Sequence, residues 1–191
     1  MAKLTPTPSQ TVGPYYSIGF NWLATTDLAK DATQGERIVV SGRLTDGDGA
    51  PIPDAVLEVW QADANGRYAH AEDKQDRPRD QGFKGYGRIG TDNDGRFRFT
   101  TVKPGAVPGP GNSLQAPHIL VALFMRGVLR HLYTRIYFSD EATANAGDPV
   151  LGLIDEPARR ATLIAQRASG ATEYRWDIAM QGANETVFFD A

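Results

Sequence analysis

The sequence predicts an all-β fold: a β-sandwich core of about eight or nine strands, with an extended N-terminal arm and short helical turns. Three observations carry this expectation. Apolar and polar residues alternate over short runs such as Arg96-Phe97-Arg98-Phe99-Thr100-Thr101-Val102, and a period of two marks a half-buried strand. Such runs recur at roughly ten-residue spacing along the chain. Turn residues separate them, as in Asp46-Gly47-Asp48-Gly49, Asp63-Ala64-Asn65-Gly66 and Asp92-Asn93-Asp94-Gly95, where the glycines supply the positive φ that tight turns require.

Residues 1–35 read as a polar arm punctuated by Pro and Gly. Thr7-Pro8-Ser9-Gln10-Thr11-Val12-Gly13-Pro14-Tyr15-Tyr16 has no period. Its apolar and aromatic content nevertheless sets it apart from a solvated tail, so the arm is expected to lie on a surface, its own or a partner's. Strands are expected over residues 37–44, 55–62, 85–90 and 96–102, with a polar loop at 71–81. A Pro/Gly-rich loop spans 103–117. A strand opens at His118 and turns at Arg126-Gly127, and another covers 131–138. Short helical turns fit 141–163, where Pro149 and Pro157 act as breakers. Residues 162–167, 174–180 and 186–189 read as closing strands.

Composition narrows the function classes. The 191 residues suit one domain, 1–191, which can bury roughly 70% of its unfolded surface without cross-links. With no cysteine there is no disulfide, no thiolate metal site and no cysteine nucleophile, a composition that suits a reducing cytoplasm. Met1 to Pro6 lack the apolar core of a signal peptide, and no apolar run nears the ~18 residues of a membrane-spanning helix. The net charge of −3 is well mixed, so neither nucleic acid nor a membrane is an expected partner. Asn184-Glu185-Thr186 has the form of a glycosylation acceptor, which carries no weight without secretion. Glycine-rich phosphate loops, Gly-x-Ser-x-Gly elbows and His-Glu-x-x-His pairs are absent from the sequence.

Four segments stand out together: Leu57 to Tyr68, Thr101-Val102-Lys103-Pro104-Gly105, Ala116-Pro117-His118-Ile119 and Arg135-Ile136-Tyr137-Phe138. In this order and spacing they resemble the intradiol ring-cleaving dioxygenases. Thr7 to Tyr15, Ala116 to His118 with Arg126-Gly127, and Glu185-Thr186-Val187-Phe188-Phe189-Asp190 are similar to the α-type subunit of the family's two-subunit members. The resemblance covers nearly the whole chain. It implies a reaction in which non-haem Fe(III), held by two tyrosinates and two histidines, makes a bound catecholate reactive toward O2. Carried onto this sequence, the first tyrosine falls on Tyr68 and the first histidine on His118. The second tyrosine falls on Val107 and the second histidine on Leu120, neither of which has a lone pair to offer.

The resemblance therefore implies that this chain holds no catalytic iron and contributes no catalytic residue of its own. Tyr68 and His118 are vestiges, and the iron sits in a partner β subunit. The α-type chain lines part of a shared pocket through Thr11, Gly13, Pro14 and Arg126. The substrate implied is 3,4-dihydroxybenzoate, opened with O2 to 3-carboxy-cis,cis-muconate in bacterial aromatic catabolism, the β-ketoadipate pathway. The assembly implied is a large symmetric αβ oligomer. A guanidinium suits a substrate carboxylate through charge-assisted, bidentate hydrogen bonds, and a Gly-Pro pair gives an ordered backbone that can approach a flat ring.

Other readings stand beside this one. The chain fits a β-sandwich binding module for aromatic or sugar ligands that has no catalytic role. It also fits a self-sufficient metalloenzyme using Tyr68 and His118 with carboxylates. Residue by residue, His118 reads as a core histidine with one hydrogen bond, Tyr68 as a turn-edge tyrosine, Trp60 and Trp176 as core, and His70 and His131 as surface residues. Tyr133, Tyr137, Phe138, Phe188 and Phe189 fit either a core or an aromatic contact surface.

Overall fold

A computed structural model describes residues 7–167 and 171–190. Met1 to Pro6, with the signal-peptide reading that rests on them, lie outside the described residues. Among the described residues nine strands form one sheet, eight of them along one hydrogen-bonded path: β3 (Tyr86–Gly90), β2 (Val56–Trp60), β7 (His118–Phe124), β8 (Leu132–Phe138), β9 (Ile164–Arg167), β10 (Glu173–Arg175), β1 (Arg37–Thr45) and β11 (Ile178–Ala179), with β4 (Arg96–Val102) paired to the other edge of β1. β3, β2, β7 and β8 pair antiparallel. The parallel β8–β9 pairing then carries the path into the second layer, where β1 pairs antiparallel with β4 and parallel with β10 and β11. The all-β expectation holds, and its two layers belong to a single mixed sheet folded over itself.

Alternation drives the packing. In β4, Phe97 and Phe99 point inward and Arg96 and Arg98 outward. One core receives residues of both layers: Ile38, Val40 and Leu44 of β1, Leu57 and Val59 of β2, and Ile119, Val121 and Leu123 of β7. A second, smaller cluster on the other face of β7 and β8 holds Ala116, Tyr137, Leu151, Leu163 and Val187. Asp140, just after β8, ties the layers together. It accepts hydrogen bonds from Lys103 (2.8 Å), Arg167 (2.9 Å) and the Tyr174 hydroxyl (2.9 Å). Burial opposes its charge, but these donors prevail and hold its carboxyl down at about 2.

Four local expectations change. The arm is not extended throughout, since Gly13–Phe20 is α-helix (α1), followed by a 3-10 turn at Asn21–Leu23. Its sequence has no period because apolar residues stand on both sides. Tyr16 packs on Phe124, with ring centroids 5.0 Å apart, and meets Phe20 edge-on, while Tyr15 and Ile18 face outward. Pro14 suits the first turn, where its missing N–H is no loss. The 103–117 loop contains a hairpin, β5 (Val107–Pro108) with β6 (Leu114–Gln115).

The 174–180 run breaks into β10 and β11 at Trp176-Asp177, where the Asp177 carboxylate accepts the Arg43 N–H (2.9 Å) in place of a backbone carbonyl. In the 186–189 segment the pairing is a single bridge, Phe189 to Tyr133. The short helical turns fall within 141–163, as α2 (Ala142–Ala146), a 3-10 turn (Leu151–Leu153) and α3 (Pro157–Ala161).

Candidate functional site

Tyr68, Val107, His118 and Leu120, the positions that the family resemblance would match to metal ligands, lie about the outer face of β2, β7 and β8. Trp60, Leu120 and Arg135 stand side by side across three strands, and His118 pairs with Tyr137 two residues further along. Tyr68 and Val107 line a cavity of about 580 Å³ together with Trp60, Pro108, Gln115 and the 70–75 loop. Trp60 is not core: it points outward from β2, half-buried, and stacks on Tyr68 with centroids 5.8 Å apart. Trp176 is core, and His70 and His131 are exposed. Tyr137 and Phe138 are buried, whereas Tyr133, Phe188 and Phe189 are half-buried.

These residues do not fit a ferric ion. Val107 and Leu120 supply no donor. The buried His118 uses Nδ1 on the Ala116 carbonyl at 2.7 Å. Burial first, and the Arg135 charge second, push its imidazole down to about 4. Burial raises the Tyr68 phenol above its ordinary value despite the pull of Arg135. Arg135 itself hydrogen-bonds Gln115 Oε1 (2.8 Å) and the Tyr137 hydroxyl (3.2 Å). It therefore places a fixed positive charge beside both retained ligand positions. Among the described residues, no three His, Cys, Asp or Glu side chains gather into a metal cluster. The self-sufficient metalloenzyme reading has no donor set here.

The neutral histidine has a consequence for stability. Its folded value lies below its ordinary 6.5, so between about 6.5 and 4 the unfolded chain binds the extra proton. Stability therefore falls as the pH falls through that window, by roughly 3 kcal/mol at full extent. Urea unfolding at pH 7 and pH 5 is expected to show the loss, and His118→Gln to flatten it.

The other candidate residues gather at the opposite end of β7. The Thr11 hydroxyl reaches the Met125 carbonyl (3.4 Å) and accepts the Gly127 N–H (3.1 Å), the two peptide groups that flank Arg126. Gly13 has φ +62°, a left-handed turn that admits the arm to α1, and the space where a side chain would project is open. Pro14 follows in the first helical turn. The Arg126 side chain is half exposed, and Asp54 Oδ2 lies 3.8 Å from its guanidinium, too far for a hydrogen bond.

β7 separates the two groups. From His118 to Phe124 it spans about 20 Å at ~3.3 Å per residue, far longer than a single-ring catechol. A ligand in this chain's own cavity is out of reach of Arg126. The sequence points to Thr11, Gly13, Pro14 and Arg126 but not to Trp60, Gln115 and Arg135 as lining or bracing residues. Arg135 stands in the sequence only as the first residue of Arg135-Ile136-Tyr137-Phe138, and its partner across the strand register cannot be read there.

The family described as Dioxygenase matches residues 12–182. The protocatechuate 3,4-dioxygenase alpha chain of Pseudomonas putida is 48% identical over 98% of this chain and 97% of its own length. The protocatechuate 3,4-dioxygenase beta chain of Burkholderia cepacia is 40% identical over 84% of this chain and 73% of its own length. Among solved structures, the dioxygenase domain of a dioxygenase carbohydrate-binding protein fusion from Streptomyces sp. SirexAA-E superposes with a TM-score of 0.58 at 28% identity, covering 94% of this chain and all of that one. With a match over most of its length and close to half its residues shared with a relative end to end, this chain belongs to the dioxygenase family.

Proposed function

We propose that this chain, as one domain of residues 1–191, is the α subunit of an αβ protocatechuate 3,4-dioxygenase. The observation that carries the reading is the separation along β7: a cavity without a ferric donor set at one end, and at the other an arginine whose ion-pair neighbour, Asp54, lies beyond hydrogen-bond distance. An arginine so placed serves a ligand held outside this chain. Full-length similarity to an alpha chain, with a separate beta chain in the same family, supports a β subunit as the holder.

In this reading the β subunit carries the non-haem Fe(III), which supplies the activation of catecholate toward O2. The present chain does the binding and shaping. Arg126 pairs with the substrate carboxylate by charge-assisted hydrogen bonds. Thr11, Gly13 and Pro14 present an ordered backbone edge to the ring, with the left-handed Gly13 turn leaving space for it. Closing this wall against the partner excludes water from the site. 3,4-Dihydroxybenzoate is opened between its two hydroxylated carbons to 3-carboxy-cis,cis-muconate, in cytoplasmic aromatic catabolism. The assembly is a large symmetric αβ oligomer. The binding-module alternative has no observation in its favour beyond the cavity itself.

The test is expression of the chain alone and together with a β-type chain. Ring cleavage is expected only when both are present. Ring cleavage by this chain alone, or undiminished cleavage by the β-type chain without it, contradicts the proposal.

A further inference from the structure

We infer that Thr11 is a positioning residue for carboxylate recognition: its hydroxyl clamps the peptide groups on both sides of Arg126 and so sets where the guanidinium stands. The inference rests on the reading of Arg126 given above. A hydroxyl has one proton to donate and lone pairs to accept with. Thr11 uses both, donating to the Met125 carbonyl (3.4 Å) and accepting from the Gly127 N–H (3.1 Å). Its two partners are one residue before and one residue after Arg126, more than a hundred residues away along the chain.

The neighbourhood makes the clamp effective. Gly127 sits at φ +89°, so the turn depends on a left-handed residue immediately after Arg126. Two residues before Arg126, Phe124 is covered by the Tyr16 ring at 5.0 Å and 22°, and Tyr16 in turn donates to Glu58 (3.3 Å). The arm therefore grips the strand end at Phe124 and the turn at 125 and 127. The Arg126 side chain is held only loosely, with Asp54 at 3.8 Å and half of its surface exposed. Its direction is set by backbone placement, and the hydroxyl of Thr11 is the polar group that fixes that backbone from the arm. Such placement matters because bidentate pairing with a carboxylate is sensitive to small displacements of the fork.

The experiment uses the assembled αβ enzyme carrying Thr11→Val, which keeps the shape and removes the hydroxyl, and Thr11→Ser, which restores the hydroxyl. Thr11→Val is expected to raise KM for 3,4-dihydroxybenzoate roughly fivefold, about one hydrogen bond's worth, with a smaller change for catechol. Thr11→Ser is expected to return KM toward the starting value. Hydrogen exchange followed by mass spectrometry on the 124–129 segment of the same complexes is expected to quicken in Thr11→Val and not in Thr11→Ser. Equal losses on both substrates, or unchanged exchange in Thr11→Val, overturn the clamp. Arg126→Ala is assayed beside them. If it leaves the carboxylate preference intact, the underlying reading of Arg126 fails, and the exchange data still show whether Thr11 orders the turn.

Discussion

Arg126→Ala in the assembled αβ enzyme is expected to lower kcat/KM for 3,4-dihydroxybenzoate by roughly 10- to 100-fold, the equivalent of losing a charge-assisted contact of about 1.5–3 kcal/mol. For catechol, which lacks the carboxylate, the loss is expected to stay under about threefold. The expectation follows from the side chain's position. Its guanidinium is half exposed at the end of β7 and has no hydrogen-bonded carboxylate partner among the described residues, so its donors are available to an incoming anion. Arg126→Lys should recover only part of the loss, because a single ammonium keeps the charge without the planar fork. Steady-state kinetics on the two substrates check this, and equal losses on both would remove Arg126 from carboxylate binding.

The second large effect is on stability. Asp148 is 2% exposed, and its carboxylate accepts four hydrogen bonds: from Ala116 N (2.8 Å), the Tyr137 hydroxyl (3.2 Å), Val150 N (2.8 Å) and Leu151 N (2.8 Å). It thereby joins the entry of β7 to β8 and to the 3-10 turn at Leu151–Leu153. Asp148→Ala strands several buried donors at once and is expected to cost about 3–5 kcal/mol. Asp148→Asn keeps an acceptor oxygen and should cost less, about 1–2 kcal/mol. Denaturant midpoints measured at constant m-value check both, and an Asp148→Ala chain as stable as the parent would show that the network is not needed. Because Asp148 lies at the His118 end of β7, a variant that still folds should leave the Arg126 end intact, and carboxylate preference should persist.

The strands are legible in the sequence because their information is local. Alternation in β4 is enough to name Phe97 and Phe99 as inward and Arg96 and Arg98 as outward. Alternation does not say which face of a strand meets the core, and so it leaves Trp60 inside when the side chain in fact lines the outer cavity. Helix α1 is hidden for a related reason. Tyr16 and Phe20 face the sheet while Tyr15 and Ile18 face out, so no apolar period exists to be read. At the site, the residues Thr11, Gly13, Pro14 and Arg126 come from the family resemblance one at a time. Their grouping does not, since the Thr11 contacts join segments 114 and 116 residues apart. Arg135 is equally hidden. Its meaning depends on lying beside Leu120 in the β7–β8 register and within reach of Gln115, facts of pairing that no local pattern contains.

Val107 and Leu120 alone suggest half a metal site. The structure adds a charge beside the remaining half. His118 stays neutral with Nδ1 on its own backbone, a state that leaves Nε2 able to ligate, so what tells against Fe(III) is the missing donors together with the Arg135 charge that acts on both His118 and Tyr68. The absence of donors at Val107 and Leu120 and the presence of a neighbouring cation act in the same direction, since a guanidinium close by repels Fe(III).

The most direct test of the account is iron analysis of this chain purified alone, after refolding with excess ferrous or ferric iron, beside the αβ complex prepared in the same way. The account predicts negligible iron and no tyrosinate-to-iron colour in the chain alone, with iron in the complex at one per αβ pair. Tightly bound stoichiometric iron in the isolated chain would contradict it.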